Sequence, residues 1–109
     1  MPRRKLDPLP SAAFHILLAL AGEDLHGYAI MRQVERQTCG RVRLGPGTLY
    51  GSLRTLLEAS LIEELDDSSG SEDNSERRRY YRLSGLGERV AQAEAARYEE
   101  LAKMVWIEL

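Results

Sequence analysis

Hydroxyl, phenol and guanidinium groups concentrate in a few short stretches of this sequence. From Gly45 to Arg54 the chain reads Gly-Pro-Gly-Thr-Leu-Tyr-Gly-Ser-Leu-Arg. Thr48, Tyr50, Ser52 and Arg54 are hydrogen-bond donors suited to phosphate oxygens. The small residues before them let a backbone come close to a ligand, and a helix that starts there offers unpaired N–H groups and a positive dipole end. A second set, Arg77, Arg78, Arg79 and Arg82, surrounds Tyr80 and Tyr81. Arg41 and Arg43 just precede the first set, and Tyr28 follows His26 further upstream. This is chemistry for gripping a polyanion. Bond-making chemistry lacks its parts. His15 and His26, with Glu23 and Asp24 between them, are too sparse for a metal site, and there is no CxxC or HxxxH spacing. A G-x-S-x-G elbow, a P-loop and a GxGxxG run are also missing. No catalytic residue, cofactor or metal is expected, and the chain reads as a non-enzyme.

The charge is unevenly placed. Residues 1–62 carry eight Arg and Lys against five Asp and Glu, whereas residues 63–76 carry seven acids and no base. Residues 77–82 then hold four Arg and no acid, and residues 83–109 three bases and five acids, for a net charge of −2 overall. A basic first half and a mildly acidic end fit one face that meets phosphate and another that meets a protein. Neutralisation of the acidic run by the Arg cluster across a hairpin fits equally well.

The length of 109 residues suits one domain with a thin core, to which pairing with a second copy would add burial. With 43% hydrophobic and 29% charged residues the chain has the composition of a soluble globular protein. No apolar run approaches a membrane span. The basic Arg3-Arg4-Lys5 is followed by Pro8 and Pro10 and not by the apolar region of a signal peptide. The expected location is the cytoplasm, without membrane contact. The single Cys39 suits a reducing compartment and is expected to be a small buried hydrophobe at a helix end; redox sensing is the other reading.

The elements that must position these groups follow from hydrophobic period and caps. Ser11 as N-cap, with Phe14, Leu17, Leu18 and Ala21 at helical spacing, predicts a helix over 11–21. A second helix runs from His26-Gly27 to about Thr38 and stops at Gly40. A third has Gly45 at its cap and Pro46 in its first turn, with Leu49, Leu53, Leu56 and Leu57 as its buried stripe. Leu61–Leu65 reads as a short strand, 66–78 as a polar turn-forming tip, and Arg79–Leu83 as a second strand. Ser84 caps a last helix over about 84–107, with Leu86, Val90, Ala93, Leu101, Met104 and Val105 apolar and Arg97 interrupting the stripe. The fold class is mainly α with a small β-hairpin: a winged helix-turn-helix over 1–83, and a C-terminal dimerisation helix over 84–109 with no evident place in the core of that domain.

Three stretches resemble the PadR family of regulators: Leu25-His26-Gly27-Tyr28-Ala29-Ile30, Gly45 to Leu53, and Arg78-Arg79-Tyr80-Tyr81-Arg82-Leu83-Ser84. The similarity runs from about residue 11 to 88. It implies a dimeric winged-helix repressor that occupies a double-stranded DNA operator of two half-sites and is often released by a small ligand. The single C-terminal helix resembles the smaller subgroup of the family. The strongly acidic tip departs from the pattern, since a wing that enters the minor groove would be neutral or basic.

The resemblance makes Gly45–Arg54 the recognition helix and sets Thr48 and Tyr50 at a DNA-facing position, with Ser52 and Arg54 also outward; capping and packing is the other reading of Thr48 and Tyr50. Tyr28 starts the helix that crosses the backbone. His26 there is either a contact or a cap. Arg41 and Arg43 reach phosphate or stay solvated. Arg77, Arg78, Arg79 and Arg82 grip the backbone or pair with Glu63, Glu64, Asp66 or Asp67. Val90, Ala93, Leu101, Met104 and Val105 form the expected homodimer stripe, joined by Met1, Leu6 and Leu9 of an N-terminal arm. Trp106 is an interface anchor in the favoured reading and the wall of a pocket for a small aromatic ligand in the other. The alternative function is a winged-helix protein-interaction module without DNA binding.

Overall fold

The computed structural model describes residues 9–67 and 78–108. Its order is α1 (Ser11–Leu20), β1 (Leu25–His26), α2 (Gly27–Gln37), α3 (Pro46–Glu58), β2 (Ile62–Asp67), β3 (Arg78–Leu83) and α4 (Gly85–Glu108). Helix α1 is apolar almost all round because it is central. Ala13, Phe14, Ile16, Leu17, Ala19 and Leu20 are all buried, and α2, α3, α4 and β3 pack around it. Its N-cap is Pro10, one residue earlier than the expected Ser11, which is already helical. Leu9 is buried in this same core, so it belongs to its own domain and not to a dimer arm. Met1 and Leu6 lie outside the described residues.

The sheet has three strands in the order β1-β3-β2, all antiparallel. The expected hairpin is present, and Leu25–His26 adds a short third strand that pairs with Tyr81 and Tyr80. Two residues are too few for a period-2 pattern to reveal. Ile62 lies opposite Leu83, and Glu64 opposite Tyr81. Alternation puts Ile62, Tyr81 and Leu83 on the face that meets the helices.

Helices α2 and α3 end the same way. At α2 the N–H of Gly40 bonds the Glu35 carbonyl at 2.7 Å and that of Cys39 bonds the Arg36 carbonyl at 3.1 Å. At α3 the N–H of Leu61 bonds the Leu56 carbonyl and that of Ser60 bonds the Leu57 carbonyl, both at 3.0 Å. These are Schellman closures, and they hold Cys39 and Ser60 at positive φ, 55° and 63°. Cys39 is exposed, contrary to the buried role expected of it, because the left-handed turn points its side chain off the helix end.

Ser84 caps α4 as expected. Its hydroxyl accepts from the N–H of Gly87 at 2.9 Å and donates to the Ser60 carbonyl at 2.8 Å, while its own N–H bonds the Leu61 carbonyl at 3.1 Å. A Cβ at Gly87 would overlap that carbonyl, so only glycine lets α4 start this close to the α3–β2 turn. The first half of α4 therefore does have a place in the core. Gly87, Ala91 and Glu94 are buried and Val90 is half-buried against the core, whereas residues 95–107 are exposed. The expected stripe of large side chains is turned relative to this face, because small residues make the close contact.

Candidate nucleic-acid interface

Helices α2 and α3 form a helix-turn-helix joined by residues 38–45. Thr38 ties the turn: its hydroxyl donates to the Val34 carbonyl at 2.8 Å and accepts from the N–H of Val42 at 3.0 Å. Gln37 donates to the His15 carbonyl at 2.9 Å and fastens α2 to α1. Leu49, Leu53 and Leu56 are fully buried and fix the rotation of α3 about its axis. At about 100° per residue, Gly47, Gly51 and Arg54 then point directly outward. Thr48 lies on one flank of that face and Tyr50 on the other. A Cβ at Gly47 or Gly51 would meet nothing within 4 Å, so neither glycine is demanded by packing inside the chain. Each weakens the helix by up to about 1 kcal/mol relative to Ala. Gly45 caps α3 without a side-chain acceptor, and Pro46 has no N–H to satisfy.

The expected contact residues divide into three groups. Thr48, Arg41 and Arg54 are exposed, and Ser52 is half-buried. Tyr28 is 58% exposed at the start of α2, with the Arg32 guanidinium 5.7 Å from its ring centre. Arg32 was not among the expected residues, and its signal is the four-residue spacing from Tyr28 on one helix face. Other arginines are held by carboxylates. Arg43 pairs with Glu35 at 2.9 Å, Arg79 with Glu64 at 3.0 Å, and Arg82 with Asp24 at 3.1 Å. Arg82 thus turns to the loop before β1 and not to the acids of the opposite strand. Arg77 and the side chain of Arg78 lie outside the described residues, as does most of the acidic tip.

His26 is the N-cap of α2. Its Nδ1 accepts from the N–H of Ala29 at 3.2 Å, and its ring meets Tyr80 edge-on at 5.4 Å. Tyr50, 53% exposed, comes to the same corner of the molecule. A Cβ at Gly27 would lie 2.8 Å from the Tyr50 Oη. Burial pushes the Tyr81 phenol above its ordinary value, the nearby Glu64 and Tyr50 add to the shift, and Arg79 opposes it.

Of the residues expected at a dimer interface, Val90 packs on its own core, while Ala93, Leu101, Met104, Val105 and Trp106 are exposed along α4. Trp106 is 77% exposed and Ile107 extends the apolar run. Among the described residues, no helix is long and apolar enough to cross a membrane.

Known proteins share this arrangement. A PadR-like transcription factor from Bacteroides fragilis is 26% identical, with a TM-score of 0.74 over 90% of this chain and 89% of that one. A PadR family transcription regulator from Clostridium difficile R20291 is also 26% identical, with a TM-score of 0.69 over 84% of this chain and 92% of that one. PadR of Bacillus subtilis, in complex with operator DNA, shares the fold at 18% identity, with a TM-score of 0.66 over 77% of this chain and 46% of that one. An uncharacterized 37.1 kDa protein in transposon TN4556 of Streptomyces fradiae is 36% identical over 91 residues, 84% of this chain but only 24% of that protein. This chain spans about a quarter of that relative. Residues 16–93 match the model of the transcriptional regulator PadR-like family, and the chain belongs to it.

Proposed function

We propose that the protein is a homodimeric repressor that occupies a two-half-site operator through α3 and the wing. The outward face of α3 carries the reading. Gly47 and Gly51 open its first turns, Arg54 continues the face, and Thr48 flanks it. That surface admits close approach of a helix backbone to a major groove. In this reading Tyr28, Arg32, Arg41 and Arg79 contact the flanking backbone. The operator complex of Bacillus subtilis PadR, on the same fold, supports the DNA partner. Leu101, Met104, Val105 and Trp106 give α4 an apolar surface for a second copy. In this reading 84–109 is the dimerisation element and 1–83 the DNA-binding part. A small aromatic molecule held near Trp106 is the candidate signal that releases DNA.

The test is fluorescence anisotropy of labelled promoter DNA, taken from beside the encoding gene and from other promoters of the same genome, across a salt series. Sequence-selective binding is expected, with a log–log salt slope that steepens by about 0.9 for each phosphate neutralised. The competing reading is a protein-interaction module. It is favoured by the engagement of Arg43, Arg79 and Arg82 with carboxylates and by the acidic run after Ile62. Absence of any salt-dependent, selective DNA binding by the folded protein decides for that reading.

A further inference from the structure

We propose that Tyr50 is a positioning residue: its phenol, seated against Gly27, clamps the recognition helix to the start of α2 beside the wing strand and so sets the pose in which α3 reads bases. The proposal rests on the DNA-binding reading given above.

Tyr50 lies between the buried leucine stripe of α3 and the outward Gly47–Gly51–Arg54 face, so its side chain leaves the helix sideways. The space beside Gly27 is what it fills. A Cβ there would lie 2.8 Å from the Tyr50 Oη and 3.3 Å from its Cε1 and Cζ. Gly27 has an ordinary helical backbone, which any residue adopts, and it is buried. Room for the phenol is therefore the reason for glycine at this position. Gly27 directly follows the His26 cap, and Leu25 and His26 pair with Tyr81 and Tyr80 of β3. Tyr81 in turn lies opposite Glu64, which holds Arg79 at 3.0 Å on the wing. The influence of Tyr50 on the Tyr81 phenol is consistent with this closeness. One side chain thus touches the junction at which α2 begins and the wing strand enters the domain. A phenol packed on Gly27 acts through its ring, whereas a phosphate contact would depend on its hydroxyl.

The two roles separate in Tyr50→Phe, Tyr50→Ala and Gly27→Ala, made in the full chain. Gly27→Ala raises helix propensity and meets only the movable end of Tyr50, so it leaves the fold intact while dislodging the phenol. Residual dipolar couplings of the 15N-labelled proteins give the angle between α2 and α3 without DNA. Anisotropy against a duplex selected by the wild-type protein from a random pool, and against random duplex, gives selectivity. Tyr50→Phe is expected to keep both the angle and the selectivity. Tyr50→Ala and Gly27→Ala are expected to change the angle and to lower roughly tenfold the ratio of affinities for selected and random duplex, the size of one lost base-pair discrimination. An unchanged angle in both alanine variants overturns the proposal. So does a Tyr50→Phe variant as defective as Tyr50→Ala, which would assign a phosphate contact to the hydroxyl. A wild-type protein that selects no duplex overturns the DNA reading, and the helix angle then decides the clamp by itself.

Discussion

The ring of Tyr98 on α4 meets that of Phe14 on α1 edge to face, with centroids 5.1 Å apart and planes inclined at 64°. The Arg97 guanidinium lies 5.0 Å from the centre of the same tyrosine ring. This contact comes just beyond the last buried residue of α4, Glu94, and marks where the helix leaves its own domain. An edge-to-face pair adds about 0.5–1.5 kcal/mol beyond the area it buries. A double-mutant cycle on Phe14→Ala and Tyr98→Ala, read by urea unfolding, is expected to return a coupling of that size. A coupling of zero would mean that α4 is held by its residues up to Glu94 and the Ser84 cap, without help from the Phe14–Tyr98 pair.

Glu94 is buried on the same helix face, with its carboxylate accepting from Arg97 at 2.8 Å. That hydrogen bond holds the Glu94 carboxyl below its ordinary value, burial opposes the shift, and the Arg97 charge and a Tyr98 hydrogen bond assist it. A carboxylate with a lowered native pKa contributes stability that is present above its unfolded value and is lost as pH falls through the native one. The wild-type Tm is therefore expected to drop in acid more steeply than that of Glu94→Gln, and the Glu94→Gln Tm to be the lower of the two near neutrality. Thermal unfolding followed by circular dichroism across an acid series checks both, and parallel curves would exclude a role for this carboxylate.

Gly51 sits on the outward face of α3 with open space where a Cβ would go. Gly51→Ala is expected to stabilise the fold by about 0.5–1 kcal/mol, since it removes a mid-helix glycine. The same methyl group would stand between α3 and a groove, so affinity for selected DNA is expected to fall as stability rises. Paired measurements of Tm and anisotropy test this, and a variant that gains stability with undiminished DNA affinity shows that nothing approaches the helix at this point.

Trp106 is 77% exposed in the single chain, beside Met104, Val105 and Ile107. Burial against a second copy is expected to shift its fluorescence to the blue as protein concentration rises. It is the sole tryptophan, so the signal is unambiguous. Trp106→Ala is expected to weaken dimerisation more than tenfold in sedimentation equilibrium, as loss of an aromatic anchor does. A concentration-independent spectrum at the red, solvated limit would place the interface elsewhere.

The sequence by itself determined the order of the elements and the caps that bound them. Gly45-Pro46 suits a helix start because the fixed φ of proline is already helical and its missing N–H would have no partner there, and Ser84 caps α4 because its hydroxyl accepts from an otherwise unpaired N–H. Leu49, Leu53 and Leu56 recur at helical spacing, so one face of α3 had to be buried. These are local rules, readable within a few residues. Partnerships between distant residues were decided by the tertiary structure. Arg82 turned to Asp24 and Arg43 to Glu35, because which carboxylate lies within reach depends on how loops and helices are brought together. Leu9 joined the core and Cys39 was left outside it. The start of α4 was set by Gly87, whose missing side chain lets the helix sit against the Leu61 carbonyl, and not by the large apolar residues that a hydrophobic pattern selects. The fit of Tyr50 over Gly27 is of the same kind. A glycine in sequence records only that a side chain is missing, and it takes the packed structure to supply what occupies the space.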